Sequence, residues 1–205
     1  MKRIRIYLEG GGDYKEQRAA LRQGMCAFLA TLKYEAAERQ TLLEVVPCGG
    51  RQKAYEAFRN AVDNSVSGIL PLLLVDSEGP VTAPPPAHLT ASESWAFGDT
   101  EGTRVHLMIQ AMETWIVADA EAVASYYRQK FVRCLPKADD LEHTPKATIA
   151  ALLSRATMHT QKGEYHKTRH APDLLGRLDE AKVRKRCRSC ERLFAAVTSL
   201  LSSIL

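Results

Sequence analysis

An acid that ends an apolar run and is followed by three glycines is the first feature of this chain that chemistry could use. The run Ile4-Arg5-Ile6-Tyr7-Leu8 stops at Glu9-Gly10-Gly11-Gly12-Asp13. A plain turn rarely needs so much glycine, whereas Gly10, Gly11 and Gly12 let the main chain approach a substrate closely or take positive φ. A second apolar run ends at Asp76-Ser77-Glu78, and a third, Val105 to Gln110, leads on to Glu113. Carboxylates at Glu9, Asp76, Glu78 and Glu113, gathered at one edge of a sheet, would repel one another at neutral pH unless a cation sat among them. Magnesium is the natural cation, with manganese as its alternative, because hard carboxylate oxygens suit both and magnesium keeps waters that a phosphate can displace. Taken singly, each acid also reads as a helix N-cap or a turn former.

The elements that must position these acids alternate along the chain. Ile4–Leu8 and Thr41–Pro47 read as strands, separated by a helix from Tyr14 to about Glu38, and Arg51 to Asn64 reads as a second helix. Gly68 to Asp76 is almost continuously apolar, as a strand buried on both faces of a sheet is. Val105 to Gln110 is a fourth strand, and the helices Asp119 to Tyr127, Pro145 to Thr157 and Cys187 to Leu205 follow, with a basic connecting region between the last two. This order predicts an α/β fold with a mainly parallel sheet flanked by helices, right-handed crossovers and a helical C-terminal region. Ligands of such sheets bind outside the carboxyl ends of the strands, where the acids lie. Residues 1–127 form the expected α/β core, with a long loop at about 79–103, and residues 128–205 a basic helical region packed on the same core. No Gly-Lys-Ser/Thr and no Gly-x-Gly-x-x-Gly opens a helix, which argues against a nucleoside-triphosphate P-loop.

Cations accompany the acids. Arg51 follows Gly49-Gly50 at a helix start, where it faces a phosphate or simply lies on the helix surface. The stretch from Lys162 to Arg192 holds ten basic against five acidic residues, densest at Lys182, Arg184, Lys185 and Arg186. That density reads either as a solvated face or as a footprint for a phosphate backbone. Of five scattered cysteines only Cys187-x-x-Cys190 has metal or redox spacing; it lacks a second pair and falls in a run expected to be helical.

The 205 residues carry 28 Lys+Arg against 24 Asp+Glu, a formal +4, with 45% hydrophobic positions, which excludes a disordered chain. No apolar run approaches the roughly 18 residues of a membrane span, and no signal-peptide pattern opens the chain, so a cytoplasmic protein that stays off membranes is expected. The modest total hides a polarity: residues 1–102 carry 11 basic and 13 acidic side chains, residues 103–205 carry 17 and 11.

A strand ending in Glu-Gly, here Leu8-Glu9-Gly10, followed by a helix and later by an apolar strand ending in Asp-x-Asp or a close variant, resembles the TOPRIM fold. That Rossmann-like fold is shared by topoisomerases, primases, recombination proteins and overcoming-lysogenization-defect nucleases. More narrowly, Glu9-Gly10-Gly11-Gly12-Asp13, Leu74-Val75-Asp76-Ser77-Glu78, Met112 to Asp119 and Tyr165-His166-Lys167 resemble the bacterial TOPRIM-like family of unknown function DUF4276, over about Arg3 to Phe194. Members of that family often sit beside ATPase genes in phage-defence loci. The resemblance implies that Asp76 and Glu78 hold magnesium, that Glu9 binds a second ion or acts as general acid/base, and that Glu113 is an additional ligand. Glu78 departs from the usual Asp, and its extra methylene moves the carboxylate by about a bond length. The function implied is metal-dependent hydrolysis of phosphodiesters in DNA or RNA by a metal-activated water, in a protein that forms oligomers or works with an ABC- or AAA-type ATPase. Lys167 is the basic side chain expected near the leaving oxygen, and His166 beside it is a candidate substrate contact that also reads as a surface histidine. The competing readings are a non-catalytic module that docks to an ATPase or to nucleic acid, and a small-molecule phosphohydrolase.

Overall fold

The computed structural model describes residues 2–64, 68–98 and 102–203. Its sheet has four strands, β1 (Lys2–Leu8), β2 (Thr41–Pro47), β3 (Ile69–Asp76) and β4 (Val105–Met108), all parallel and in the order β2-β1-β3-β4. The helices are α1 (Lys15–Phe28), α2 (Ala30–Glu38), α3 (Arg51–Asp63), α4 (Pro85–Glu93), α5 (Met112–Ala118), α6 (Ala120–Tyr127), α7 (Lys146–Thr157), α8 (Lys167–Leu175), α9 (Glu180–Arg186) and α10 (Arg188–Ser203). The architecture is a Rossmann-like α/β fold with a helical C-terminal region. Among the described residues no helix is long and apolar enough to cross a membrane.

Alternation along the strands gives the sheet two apolar faces. Ile4, Ile6, Leu8, Leu72, Leu74 and Met108 join one core with α1, α2, α5 and α10. Tyr7, Leu73, Val75, Val105 and Leu107 meet Ala54 and Phe58 of α3 and Leu89 of α4 on the other. Burying a sheet on both faces in this way explains the unbroken apolar run of β3. Pro71, unusual in a central strand, lies where the cost is small. The bond from Glu9 N–H to Leu74 O shows that even-numbered residues of β3 pair with β1, so the nitrogen of Pro71 faces the β4 side, where pairing begins only at Leu73.

Three expectations are corrected. The helix from Tyr14 to Glu38 is two, broken at the fully buried Leu29, with no proline or glycine to mark the bend in sequence. The long loop at 79–103 contains α4, because Pro84, Pro85 and Pro86 stand at its N-cap and first positions, where the missing amide costs nothing; residues 99–101 of that loop lie outside the described residues. The basic connecting region folds as α8 and α9. Pro172 inside α8 disguises a helix that buries Ala171, Leu174 and Leu175. Helix α8 comes so near α1 that a Cβ on Gly24 would stand 2.1 Å from the Pro172 carbonyl oxygen. Of the helix expected from Cys187 to Leu205, residues 204 and 205 lie outside the described residues.

Candidate active site

In the order β2-β1-β3-β4 the chain leaves β1 toward one edge of the sheet and β3 toward the other. The crevice outside the carboxyl ends of β1 and β3 is therefore the topological switch point, where ligands of open α/β sheets bind. Glu9 follows β1 and Asp76 ends β3. The Asp76 N–H donates to Glu9 Oε2 at 3.0 Å, so the Glu9 carboxylate takes the place that the next main-chain carbonyl of β1 would have held in the ladder. The chain has already turned away there through Gly10, Gly11 and Gly12, at φ of 120°, 88° and 62°.

Asp76 is 1% exposed. Its Oδ1 accepts the Met112 N–H at the start of α5 at 2.8 Å, and its Oδ2 accepts Lys167 Nζ at 2.9 Å. Glu78 is held at φ 62°, a left-handed conformation uncommon outside glycine, and accepts Lys146 Nζ at 2.6 Å. One carboxylate oxygen from each of Glu9, Asp76 and Glu78 lies within 4.8 Å of the others. In a magnesium octahedron opposite oxygens stand about 4.2 Å apart and adjacent ones about 3 Å, so the three carboxylates would draw together to share one ion. Hard oxygen donors at that spacing fit magnesium or manganese.

Arg51, the first residue of α3, bridges the acids. Its guanidinium donates to Glu93 and to the Asp76 main-chain oxygen at 2.5 Å, and lies 3.5 Å from Glu9 and 3.8 Å from Glu78. Glu113 sits one step further out: Oε1 accepts the Tyr165 hydroxyl at 3.0 Å and Oε2 lies 3.6 Å from Lys167 Nζ. Among the described residues the acids Glu9, Asp76, Glu78, Glu93 and Glu113 thus pair only with Arg51, Lys146 and Lys167, a formal excess of two negative charges that one divalent cation would cancel.

Electrostatics follow the burial. Burial and the neighbouring Asp76 raise Glu9 from 4.5 to about 7, against the pull of Arg51. Burial also raises Asp76, opposed by Lys167. Burial would raise Glu78 too, but the bond and charge of Lys146 outweigh it and hold this carboxyl below its usual range. Burial would lower Lys167, yet Asp76 and Glu113 push it up, keeping it charged. One prediction follows for the metal-free protein. Since Glu9 binds its proton more tightly folded than unfolded, the stability it contributes is complete below about pH 4.5 and is lost as pH rises through about 7. The loss corresponds to about 3 kcal/mol. Urea unfolding in chelator between pH 4.5 and 8 should show it, and Glu9→Gln should flatten that part of the profile; an unchanged slope would refute the assignment.

The remaining expected residues lie in different places. Gly10 and Gly11, with Glu9, Lys167 and Thr168, line a cavity of about 180 Å3 beside the acids. His166 is the exposed N-cap residue of α8, with the Thr168 hydroxyl 3.2 Å from its Nδ1. On α9, Lys182 pairs with Asp119 at 3.1 Å, Arg184 with Glu191 at 2.7 Å, and Arg186 donates to the carbonyls of Pro136 and Ala118, each at 2.8 Å. Lys185 lines a groove beside them. Cys187 and Cys190 are buried in the core, where burial pushes both thiols up. Sequence reasoning missed Lys146 and Glu93. The missed lysine had a signal: Arg51, Lys146 and Lys167 each stand at the first position of a helix, where a cation opposes the helix dipole. Three such misplacements are explained once the helices start around one anionic cluster.

The fold and the site define the class: a parallel α/β protein with a carboxylate cluster at its topological switch point. The family model described as Domain of unknown function (DUF4276) matches residues 8–198, and the chain belongs to this family. No curated protein and no solved structure matches it.

Proposed function

We propose that the protein is a magnesium-dependent, TOPRIM-type nuclease that hydrolyses phosphodiester bonds in DNA or RNA. The observation that carries this reading is the convergence of Glu9, Asp76 and Glu78 oxygens within 4.8 Å at the switch point, with the Lys167 ammonium beside them. Glu9, Asp76 and Glu78 would hold the ion, which would supply a Lewis acid for the phosphate and an activated water. Lys167 offers positive charge to the oxygen that leaves, and Arg51 to a non-bridging oxygen. Glu9, which titrates near 7 without metal, either gives up its proton to bind the ion or, outside the ion's reach, serves as general acid/base. The resemblance to TOPRIM proteins extends the reading to anti-phage defence with an ATPase partner. The decisive experiment is nicking of plasmid DNA and cleavage of single-stranded RNA with magnesium, manganese or chelator, using wild type, Glu9→Gln and Asp76→Asn. Cleavage that persists in chelator or in both variants would sink the reading.

A second reading has its own support. Lys146 and Lys167 already neutralise Glu78 and Asp76, as they would in a scaffold that binds a partner and cleaves nothing. Calorimetry separates the two. Magnesium binding at pH 7 is expected to displace about half a proton from Glu9, read as a dependence of the heat on the ionisation enthalpy of the buffer, and to tighten as pH rises. Absence of any magnesium heat favours the non-catalytic module.

A further inference from the structure

A cavity of about 410 Å3 opens on the outer edge of β4 and shares no lining residue with the acidic cluster. One wall is the segment Pro80 to Pro85; the other is the start of α10, with Arg188 and Arg192 at its mouth. Its floor is the strand edge itself. The bonds from Leu73 N–H to Arg104 O and from Ser77 N–H to Met108 O turn the even-numbered carbonyls of β4 toward β3. The alternation of a parallel ladder therefore turns Leu107 C=O and Ile109 N–H the other way, into the cavity. Arg192 Nη2, 3.5 Å from Val105 O, marks the same outer side. Both residues line the cavity, and among the described residues this acceptor and donor make no hydrogen bond.

A carbonyl at one residue and an amide two residues on present to a neighbour an acceptor beside a donor. The edge of a nucleobase offers the complement, an N–H beside a ring acceptor. A fifth strand is a poorer fit, because β4 is only four residues long and Pro80 to Pro85 line the same cavity. The flat aliphatic surfaces of Pro80, Val81 and Pro84 suit the face of a planar ring. Two cations, Arg188 and Arg192, line the cavity beside two acids, Asp140 and Glu142. Arg192 donates to the Gly102 carbonyl at 2.9 Å and has no carboxylate within ion-pair distance among the described residues, and Arg188 reaches only Asp140, at 3.8 Å. Each acid is held by a main-chain N–H, Glu142 by Ser189 at 2.8 Å and Asp140 by Glu142 at 3.0 Å, and the two arginines stand between them and a phosphate's negative charge only if Arg192 is free to turn to it.

We propose that this cavity is a nucleotide site, with the base on the outer edge of β4 at Leu107 and Ile109 and the phosphate on Arg188 and Arg192. The nucleotide is either free or part of a strand, and the site stands whether or not the acidic cluster cleaves phosphodiesters. The test is calorimetry on the full chain with the four nucleoside 5′-monophosphates, with adenosine, and with the variants Arg192→Ala and Ala83→Phe. Arg192→Ala is expected to weaken AMP about tenfold or more, the loss of a hydrogen bond to a charged group, while leaving adenosine unchanged. Ala83→Phe, which fills the cavity from an exposed position, is expected to weaken both about tenfold with an unchanged melting temperature. Displacement of AMP by a six-nucleotide oligo(dA) assigns the site to a strand, and failure to displace assigns it to a free nucleotide. No saturable binding of any monophosphate up to about 5 mM, or binding that Ala83→Phe leaves untouched, overturns the proposal.

Discussion

Replacing Asp76 with Asn is expected to weaken magnesium binding on the order of 100-fold and to reduce metal-dependent phosphodiester cleavage by on the order of 1,000-fold, with little change in fold. The carboxamide keeps one oxygen for the Met112 N–H, so the start of α5 stays anchored. The other oxygen becomes an NH2 that meets the Lys167 ammonium donor to donor, and Lys167 turns away. A hard anionic oxygen is lost at the centre of the cluster, the only one of the three on a fully buried side chain. Asp76→Ala should differ from Asp76→Asn in stability, because it also strands the Met112 N–H, a cost of about 1–3 kcal/mol. Magnesium calorimetry together with thermal melts of the two variants reads both effects. An Asn variant that binds magnesium like the wild type removes Asp76 from the site.

Arg51 carries the largest expected effect on stability. Its guanidinium touches Glu93, Glu9, Glu78 and the Asp76 carbonyl, and only 19% of the side chain is exposed. Arg51→Met keeps much of the apolar stem and removes the charge, leaving an excess of three negative charges in place of two. Breaking a buried pair costs 3–5 kcal/mol, and the partial exposure here lowers that to about 2–4 kcal/mol. For a domain of this size the melting temperature in chelator should fall by about 5–15 °C. The more negative cluster should also bind a divalent cation more tightly, so magnesium should raise the melting temperature of the variant by more than that of the wild type. Equal magnesium-induced shifts would show that Arg51 and the ion do not share the cluster.

The sheet was legible because its signals are local and strong. An apolar run of the right length with an acid at its end names both a strand and the side of the sheet where that acid lies, and Glu9, Asp76 and Glu78 follow from this alone. Glu113 was legible as an acid near the fourth strand, but not as the partner of Tyr165 and Lys167, because a helical turn decides which neighbour it meets. Glu93 was hidden by the prolines before α4, which read as loop when they are the first turn of a helix. The basic segment at Lys182 to Arg186 shows the limit of counting charges: Lys182 and Arg186 have partners 50 or more residues away along the chain, and Arg184 pairs with Glu191 on the next helix.

Every neighbouring pair of strands here is parallel, so no pair can close through a hairpin; each waits for a crossover to be laid down. The bond from Asp76 to Glu9 spans 67 residues and the one from Lys167 to Asp76 spans 91. Contacts that distant slow folding, because the loop must close before they can form. The cluster therefore cannot be complete before the chain reaches Lys167: an unfinished chain on the ribosome has its acids but not the ammonium that pairs with Asp76.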